Sequence, residues 1–319
     1  MMRPETRQGG SAPRVCVAGA SGYAGSACAD AFAAAGWQVS GFSRRGGATP
    51  GGLPVMACAD GRAFHDLLQR TPPDVLLVAT GIAELDACER DPALSQQANV
   101  DTLDEWIATV RTVCPSVRVV LLSSIYVFGE QCPPAGFCES DAPQPLSVYG
   151  RHKWQAEQRL QASGLRHLIV RLPWLIGNTA HPADPVRQLW RKFQQGESAV
   201  DDGLRFPTDA RWVAHSLAGL MCAGVEGVVH LSAVGAGSRF DLMAGLLAHC
   251  TPAPVSSLRR QPALAGPAAN GRAPRPEYLR LGTCRPEVRD LPACPSWQQL
   301  AERYAASLCG QSVREEQPL

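Results

Sequence analysis

Tyr149 and Lys153 stand four residues apart in the stretch SVYGRHKWQAE, residues 147–157. Positive charge in this chain is otherwise written almost entirely as arginine, and Lys192 is the one other lysine. A spacing of four on a helix puts both side chains on one face. A phenol with an ordinary pKa of about 10 is a poor proton donor or acceptor at neutral pH. A cation held beside it favours the phenolate and lowers that pKa. Lysine suits the task because a compact ammonium can reach past the ring to a hydroxyl of a bound ligand, whereas the planar arginine fork substitutes poorly. Ser124 completes a proton-transfer set. It lies just past an apolar run, where a hydroxyl can bond a carbonyl oxygen at the carboxyl edge of a sheet. Its neighbour Ser123 is the alternative for that role.

A second cluster is made of glycines. GASGYAG places Gly19, Gly22 and Gly25 between an apolar run, RVCVA, and an alanine-rich helical stretch closed by Gly36. Glycines at that spacing allow a tight turn and let backbone N–H groups approach a pyrophosphate at a helix N-terminus. NAD-binding chains carry an acidic residue about 20 residues further on, for the ribose 2′-hydroxyl. Here the second apolar run ends in GFSRR, so Ser43, Arg44 and Arg45 offer a hydroxyl and two guanidiniums but no carboxylate. That set suits a 2′-phosphate, which arginine binds in a bidentate fork. NADP(H) is therefore the expected cofactor and NAD the alternative. A solvated arginine pair on a loop is the competing reading.

The elements that must hold these residues alternate. RVCVA, WQVSGFSRR, DVLLVAT, VRVVLLSS and RHLIVRLPW read as strands, and helical stretches lie between them. Continuous apolar runs such as DVLLVAT belong to strands covered on both faces. The pattern predicts an α/β fold, a doubly wound parallel Rossmann-type sheet over residues 14–173, behind a floppy tail at 1–13. Residues 174–319 are expected to form a smaller, mixed lobe over the sheet's carboxyl edge, interrupted by a mobile Pro/Ala/Gly-rich loop at 251–276.

Composition narrows the class. A formal net charge of +1 gives no field for nucleic acid or an anionic membrane. No apolar run reaches the roughly 18 residues of a membrane span, and the first residues lack the apolar core of a signal peptide. The twelve cysteines include no C-x-x-C pair. They are expected to be reduced small hydrophobes in a cytoplasmic protein, with no metal site; Cys132 and Cys138 are the one pair placed to join under oxidation.

In chain order, the glycine turn, the serine and Tyr-x-x-x-Lys resemble the extended short-chain dehydrogenase/reductase superfamily. Within it the chain is most similar to dTDP-4-dehydrorhamnose reductases, through DVLLVATGIAELDACERDPALSQQAN, SSIYVF, SVYGRHKWQAE, RLPWLIG and Pro207–Thr208. The resemblance implies a reductase that delivers hydride to a ketone, the 4-keto group of a nucleotide-activated deoxysugar. Ser124, Tyr149 and Lys153 would be its catalytic set. It implies that Gly19, Ser21, Gly22, Tyr23 and Ala24 wrap the pyrophosphate. Ala79, Thr80 and Gly81 would line the cofactor, with Asn99, Ser123, Tyr149 and Lys153 supporting it. On the substrate side it points to Ser124, Ile125, Tyr126 and Trp174, the last equally well read as core. Ile125 stands where those reductases carry aspartate, and Thr80–Gly81 replaces their Ala-Ala, so the sugar pocket is altered. Two rival readings share the resemblance. One is an epimerase or dehydratase with tightly bound NAD. The other is a non-catalytic subunit like the beta subunit of methionine adenosyltransferase, which binds NADP and a partner protein. The expected partner is a small-molecule nucleotide sugar, and a homodimer is compatible with the sequence.

Overall fold

The computed structural model describes residues 12–58, 60–178, 180–197, 199–201, 203–250, 258–262, 272–276 and 278–312. The expected N-terminal tail and most of the expected loop at 251–276 lie outside the described residues. The first strand, β1 (Arg14–Ala18), is apolar and buried, and leads through the glycine turn into α1 (Tyr23–Ala34). Gly36, at φ +84°, turns the chain from α1 into β2 (Gln38–Ser43). Next come β3 (Gly47–Ala48), β4 (Pro54–Ala57), α2 (Gly61–Arg70) and β5 (Val75–Val78). After β5 the chain runs through α3 (Leu85–Arg90), α4 (Pro92–Gln96), a π-helical turn (Gln97–Asp101) and α5 (Thr102–Val113) into β6 (Arg118–Ser124). A 3-10 turn (Ile125–Val127) and a long loop precede α6 (Val148–Ala162) and β7 (His167–Leu172).

The remaining elements are β8 (Leu175–Ile176), α7 (Pro185–Gln194), β9 (Ala199–Asp201), β10 (Thr208–Asp209), α8 (Ala210–Cys222) and β11 (Gly227–His230). They are followed by α9 (Arg239–His249), β12 (Arg259–Gln261), α10 (Pro286–Arg289) and α11 (Trp297–Ser312). The main sheet runs β11-β7-β6-β5-β1-β2-β4-β3, parallel throughout except for the short β3–β4 edge pair. That is the doubly wound order, with its reversal between β1 and β5. The expected α/β class is what the chain adopts.

Alternate residues of the strands point to opposite faces, so each face has its own core. Val15, Val17 and Leu77 pack with α1 and α8, while Cys16, Ala18 and Leu76 pack with α2, α5 and α6. The edge strand β4 and helix α2 have no counterpart among the expected elements. Only Val55 of β4 is buried, and α2 buries only Phe64 and Leu68, so neither leaves a long apolar pattern. The expected boundary at residue 173 is also crossed. β11 pairs with β7, and α8 covers the sheet, although both come from the stretch assigned to the lobe. Ile176, Val186, Leu242, Met243, Leu246, Leu300 and Tyr304 form a separate core in the C-terminal part.

Among the described residues ten cysteines are free, Cys132 and Cys138 included. Cys250 departs from the expected reduced set, because it is disulfide-bonded. Spacing along the chain speaks to local pairs, whereas a disulfide joins residues that the fold brings together. No helix among the described residues is long and apolar enough to cross a membrane.

Candidate active site

The glycine turn sits at the β1/β5 reversal. Gly19 has φ +82°, and a Cβ there would lie 2.8 Å from the Ala79 carbonyl oxygen. A Cβ on Gly25 would lie 2.2 Å from the Gly19 carbonyl oxygen, so glycine is what lets α1 close on the turn. Gly22 donates to Gly19 O at 2.8 Å and caps α1 without any side chain. The first turn of α1 carries no acidic residue. A first turn without its own carboxylate suits a pyrophosphate at the N–H end of α1.

The neighbours of the turn are less free than the sequence implies. The Tyr23 hydroxyl donates to Asp184 Oδ2 at 2.9 Å and accepts from the Asn178 N–H at 3.1 Å. The side chain therefore anchors the C-terminal part to α1, and only its backbone and that of Ala24 remain for a ligand. Burial, and then Asp184, push the Tyr23 phenol well above its ordinary value. The Ser21 carbonyl accepts from His181 Nε2 at 3.1 Å; Nδ1 of that ring accepts from the Ala183 N–H, which assigns the tautomer. At the end of β2, Ser43 Oγ is spent on the Gly46 carbonyl at 3.3 Å. Arg44 and Arg45 are exposed there.

Beyond β5, Ala79 N donates to Ala18 O at 3.0 Å, and Thr80 and Gly81 follow, Gly81 at φ +124°. A Cβ on Gly81 would lie 2.1 Å from Asn99 Oδ1. Asn99, in the π-helical turn, accepts from Ile82 N at 3.1 Å and donates to Ile82 O and Ser95 Oγ, both at 3.2 Å. Its amide braces the 80–82 loop through Ile82.

Tyr149 and Lys153 stand one turn apart on α6, which docks beside Ser124 at the end of β6. Ser147 caps α6, its Oγ accepting from Gly150 N at 3.1 Å. A Cβ on Gly150 would lie 2.1 Å from the Tyr126 carbonyl oxygen, so this glycine lets α6 dock on the turn after Ser124. Ser124 Oγ accepts from Tyr126 N at 3.3 Å, and its hydroxyl is near enough to Tyr149 to bear on the phenol's proton. Burial pushes the Tyr149 phenol up to about 12, against the Ser124 hydroxyl, which lowers it. Lys153 Nζ donates to the Leu122 carbonyl at 2.6 Å. Burial pulls its ammonium down to about 8, with Glu157 acting in the other direction. The expected lowering of the tyrosine by the lysine is therefore reversed in this structure. The ammonium is held by a backbone carbonyl, and desolvation of the ring outweighs it.

Ser123 is not interchangeable with Ser124, because its Oγ donates to the buried Glu157 carboxylate. Glu157 in turn takes Arg171 through Nη2 at 2.7 Å and Nε at 3.1 and 3.2 Å. Arg171 Nη1 lies 3.4 Å from His230 Nε2. Sequence reasoning assigned no role to Glu157, although it lies one helical turn after Lys153, or to Arg171. Ile125 corrects a further expectation: it is buried among Val127, Phe128, Phe137 and Leu281, so its side chain is core. Tyr126 is half-buried, its ring 6.3 Å from that of Tyr149 in an edge-on contact. Trp174 packs on the C-terminal core with the Arg239 guanidinium 5.4 Å from its ring centroid.

A doubly wound sheet with a glycine turn at its reversal and a Tyr-x-x-x-Lys helix beside β6 defines an extended short-chain dehydrogenase/reductase. The chain belongs to the family described as RmlD substrate binding domain, whose model matches residues 13–309. It is 27% identical to the dTDP-4-dehydrorhamnose reductase of Escherichia coli (strain K12) over 246 residues, 74% of this chain and 80% of that one. It is 29% identical to methionine adenosyltransferase 2 subunit beta of Danio rerio over 296 residues, 87% of this chain and 85% of that one. Its fold matches, with a TM-score of 0.75, the crystal structure of dTDP-4-dehydrorhamnose reductase from Bacillus anthracis str. Ames in complex with NADP. That likeness is at 19% identity and covers 93% of this chain and 99% of the other.

Proposed function

We propose that the protein is an NADPH-dependent reductase of a nucleotide-sugar ketone, working through Ser124, Tyr149 and Lys153. The observation that carries this reading is the docking of α6 on the carboxyl end of β6, which holds the Tyr149 ring 6.3 Å from that of Tyr126, two residues after Ser124, and the Lys153 ammonium on the Leu122 carbonyl. The dTDP-4-dehydrorhamnose reductases among its relatives support the substrate class.

The residues present fit a dinucleotide. Gly19 and Gly25 occupy places where a Cβ would collide with backbone, and α1 opens without a carboxylate. Arg44 and Arg45 would hold a 2′-phosphate, which favours NADP(H) over NAD. When bound, NADPH would supply the hydride. Ser124 Oγ would donate to the substrate carbonyl oxygen and orient it. Tyr149 would then give its proton to the developing alkoxide. A phenol held near 12 stays protonated at neutral pH, and an alkoxide is far more basic, so burial favours the donor role. Lys153 would exchange its Leu122 partner for a ligand hydroxyl and place a cation beside the ring as charge develops. We take the working division as a dinucleotide-binding part, to which β11 and α8 also belong, and a C-terminal substrate lobe. We place the protein in the cytoplasm on its many free thiols.

A second reading is favoured by one observation: the Lys153 ammonium is already held by the Leu122 carbonyl. It makes the chain a cofactor-binding subunit without its own turnover, in line with relatives whose printed name is methionine adenosyltransferase 2 subunit beta. One experiment separates the two. The protein is incubated with NADPH and a panel of 4-keto nucleotide sugars, and the reduced-nicotinamide absorbance is followed beside Tyr149→Phe. Consumption by the unmodified protein alone supports the reductase. Tight NADPH binding with no consumption on any ketone overturns it in favour of the subunit.

A further inference from the structure

Ahead of α6, the loop after the 3-10 turn carries Cys138 and Glu139, and the segment before α10 carries Cys284. The two segments are stitched by backbone bonds, Phe137 N to Arg280 O at 2.9 Å and Gly282 N to Phe137 O at 2.8 Å. As a result the Cys138 thiol, the Glu139 carboxylate and the Cys284 thiol all have ligating atoms within 4.8 Å of one another. Cys284 Sγ lies 3.5 Å from Glu139 Oε2. From these contacts we propose that Cys138, Glu139 and Cys284 form a binding site for a thiophilic divalent cation, zinc being the fitting ion.

One separation already matches the chemistry, and the third ligand lies within 4.8 Å of both. Tetrahedral zinc with Zn–S near 2.3 Å and Zn–O near 2.0 Å separates its ligand atoms by roughly 3.5–3.8 Å. The observed sulfur–oxygen separation already has that value. Two thiolates select a soft or borderline ion over magnesium or calcium. The carboxylate is held in place by groups that do not compete for the ion. Thr283 Oγ1 donates to Oε1 at 2.6 Å, His230 N donates to Oε1 at 3.1 Å, and Cys284 N donates to Oε2 at 2.9 Å. Such outer partners orient ligands in metal sites. Binding replaces the Cys284 S–H bond to Oε2 with two metal bonds, and the two thiol protons leave to solvent. A water would take the fourth position, because Cys284 is exposed and the other two ligands are half-buried. The ion would clamp the loop between β6 and α6 onto the C-terminal segment. The same Glu139 and His230 lead inward to Arg171, so the clamp adjoins the buried network under Ser123.

The test uses full-length, reduced protein and two probes. Cobalt(II) is titrated in and the near-ultraviolet thiolate-to-cobalt band recorded. Separately, alkylation of each cysteine by iodoacetamide is timed by mass spectrometry with and without one equivalent of zinc. The expected result is a thiolate band saturating at one cobalt per chain, lost in Cys138→Ser and in Cys284→Ser but kept in Cys132→Ser. Zinc should slow alkylation of Cys138 and Cys284 by about tenfold or more while leaving Cys132 unchanged, since a metal-bound thiolate is withdrawn as a nucleophile. The alkylation arm needs no variant, so a misfolded substitution does not spoil it. Cobalt binding without a thiolate band, or zinc leaving both alkylation rates unchanged, overturns the proposal.

Discussion

Arg171→Met is expected to be among the most damaging single substitutions near the site, through stability before chemistry. Arg171 and Glu157 are 2% and 0% exposed in their side chains and meet through three short contacts. Methionine keeps most of the apolar volume that packs near Phe128 and Trp154. It removes the only cation bonded to Glu157 among the described residues, leaving there the Ser123 hydroxyl as the carboxylate's donor. Breaking a buried ion pair from one side costs about 3–5 kcal/mol, because a desolvated charge is stranded. Replacing both partners, as in Glu157→Leu with Arg171→Met, removes that charge. What remains is an unpaired Ser123 hydroxyl and an unpaired His230 nitrogen, together about 2 kcal/mol at roughly 1 kcal/mol for each lost bond. The double variant should therefore be more stable than Arg171→Met alone. Urea unfolding followed by circular dichroism measures all four corners of the cycle. A loss under about 1 kcal/mol for Arg171→Met, or a double variant equal to the sum of the singles, would show that the pair is not the uncompensated buried unit described.

Arg44→Ala with Arg45→Ala should narrow the preference for NADP(H) over NAD(H) by about 1.5–3 kcal/mol per lost phosphate contact; equal affinities in the unmodified protein by titration calorimetry would refute the 2′-phosphate role. Tyr149→Phe should lower turnover by about 10²–10⁴-fold while NADPH still binds, and unchanged turnover would remove Tyr149 from the chemistry. Lys153 titrates near 8 in the folded chain and near 10.5 when free, so the unfolded state holds more protons between those values and stability should rise with pH across that window. Lys153→Met should flatten that rise, which melting temperatures between pH 7 and 10 will read; a rise that persists in the variant assigns it elsewhere. Gly25→Ala puts a Cβ 2.2 Å from the Gly19 carbonyl oxygen, and should cost about 1–3 kcal/mol of stability together with NADPH affinity. An alanine variant that binds as tightly as the parent contradicts the close-approach role.

Local chemistry was legible before any fold was seen. Gly19 and Gly25 are demanded by a left-handed turn and a close backbone approach, both short-range constraints. Tyr149 and Lys153 share a helix face by spacing alone, and buried parallel strands declare themselves as unbroken apolar runs. Elements with few buried residues, such as β4 with Val55 alone, leave no such pattern. Tertiary structure decided everything that depends on partners distant in sequence. It placed β11 in the main sheet beside β7, turned Ile125 into core, and tied the Tyr23 hydroxyl to Asp184, 161 residues away. It also set the electrostatics: burial, not the neighbouring lysine, sets the Tyr149 proton, and the Leu122 carbonyl holds the Lys153 ammonium. Cys138 and Cys284 show the same divide, since two thiols 146 residues apart become neighbours only when separate segments pair. Spacing encodes what one helix or one turn can do; desolvation and long-range contact exist only once the chain has closed on itself.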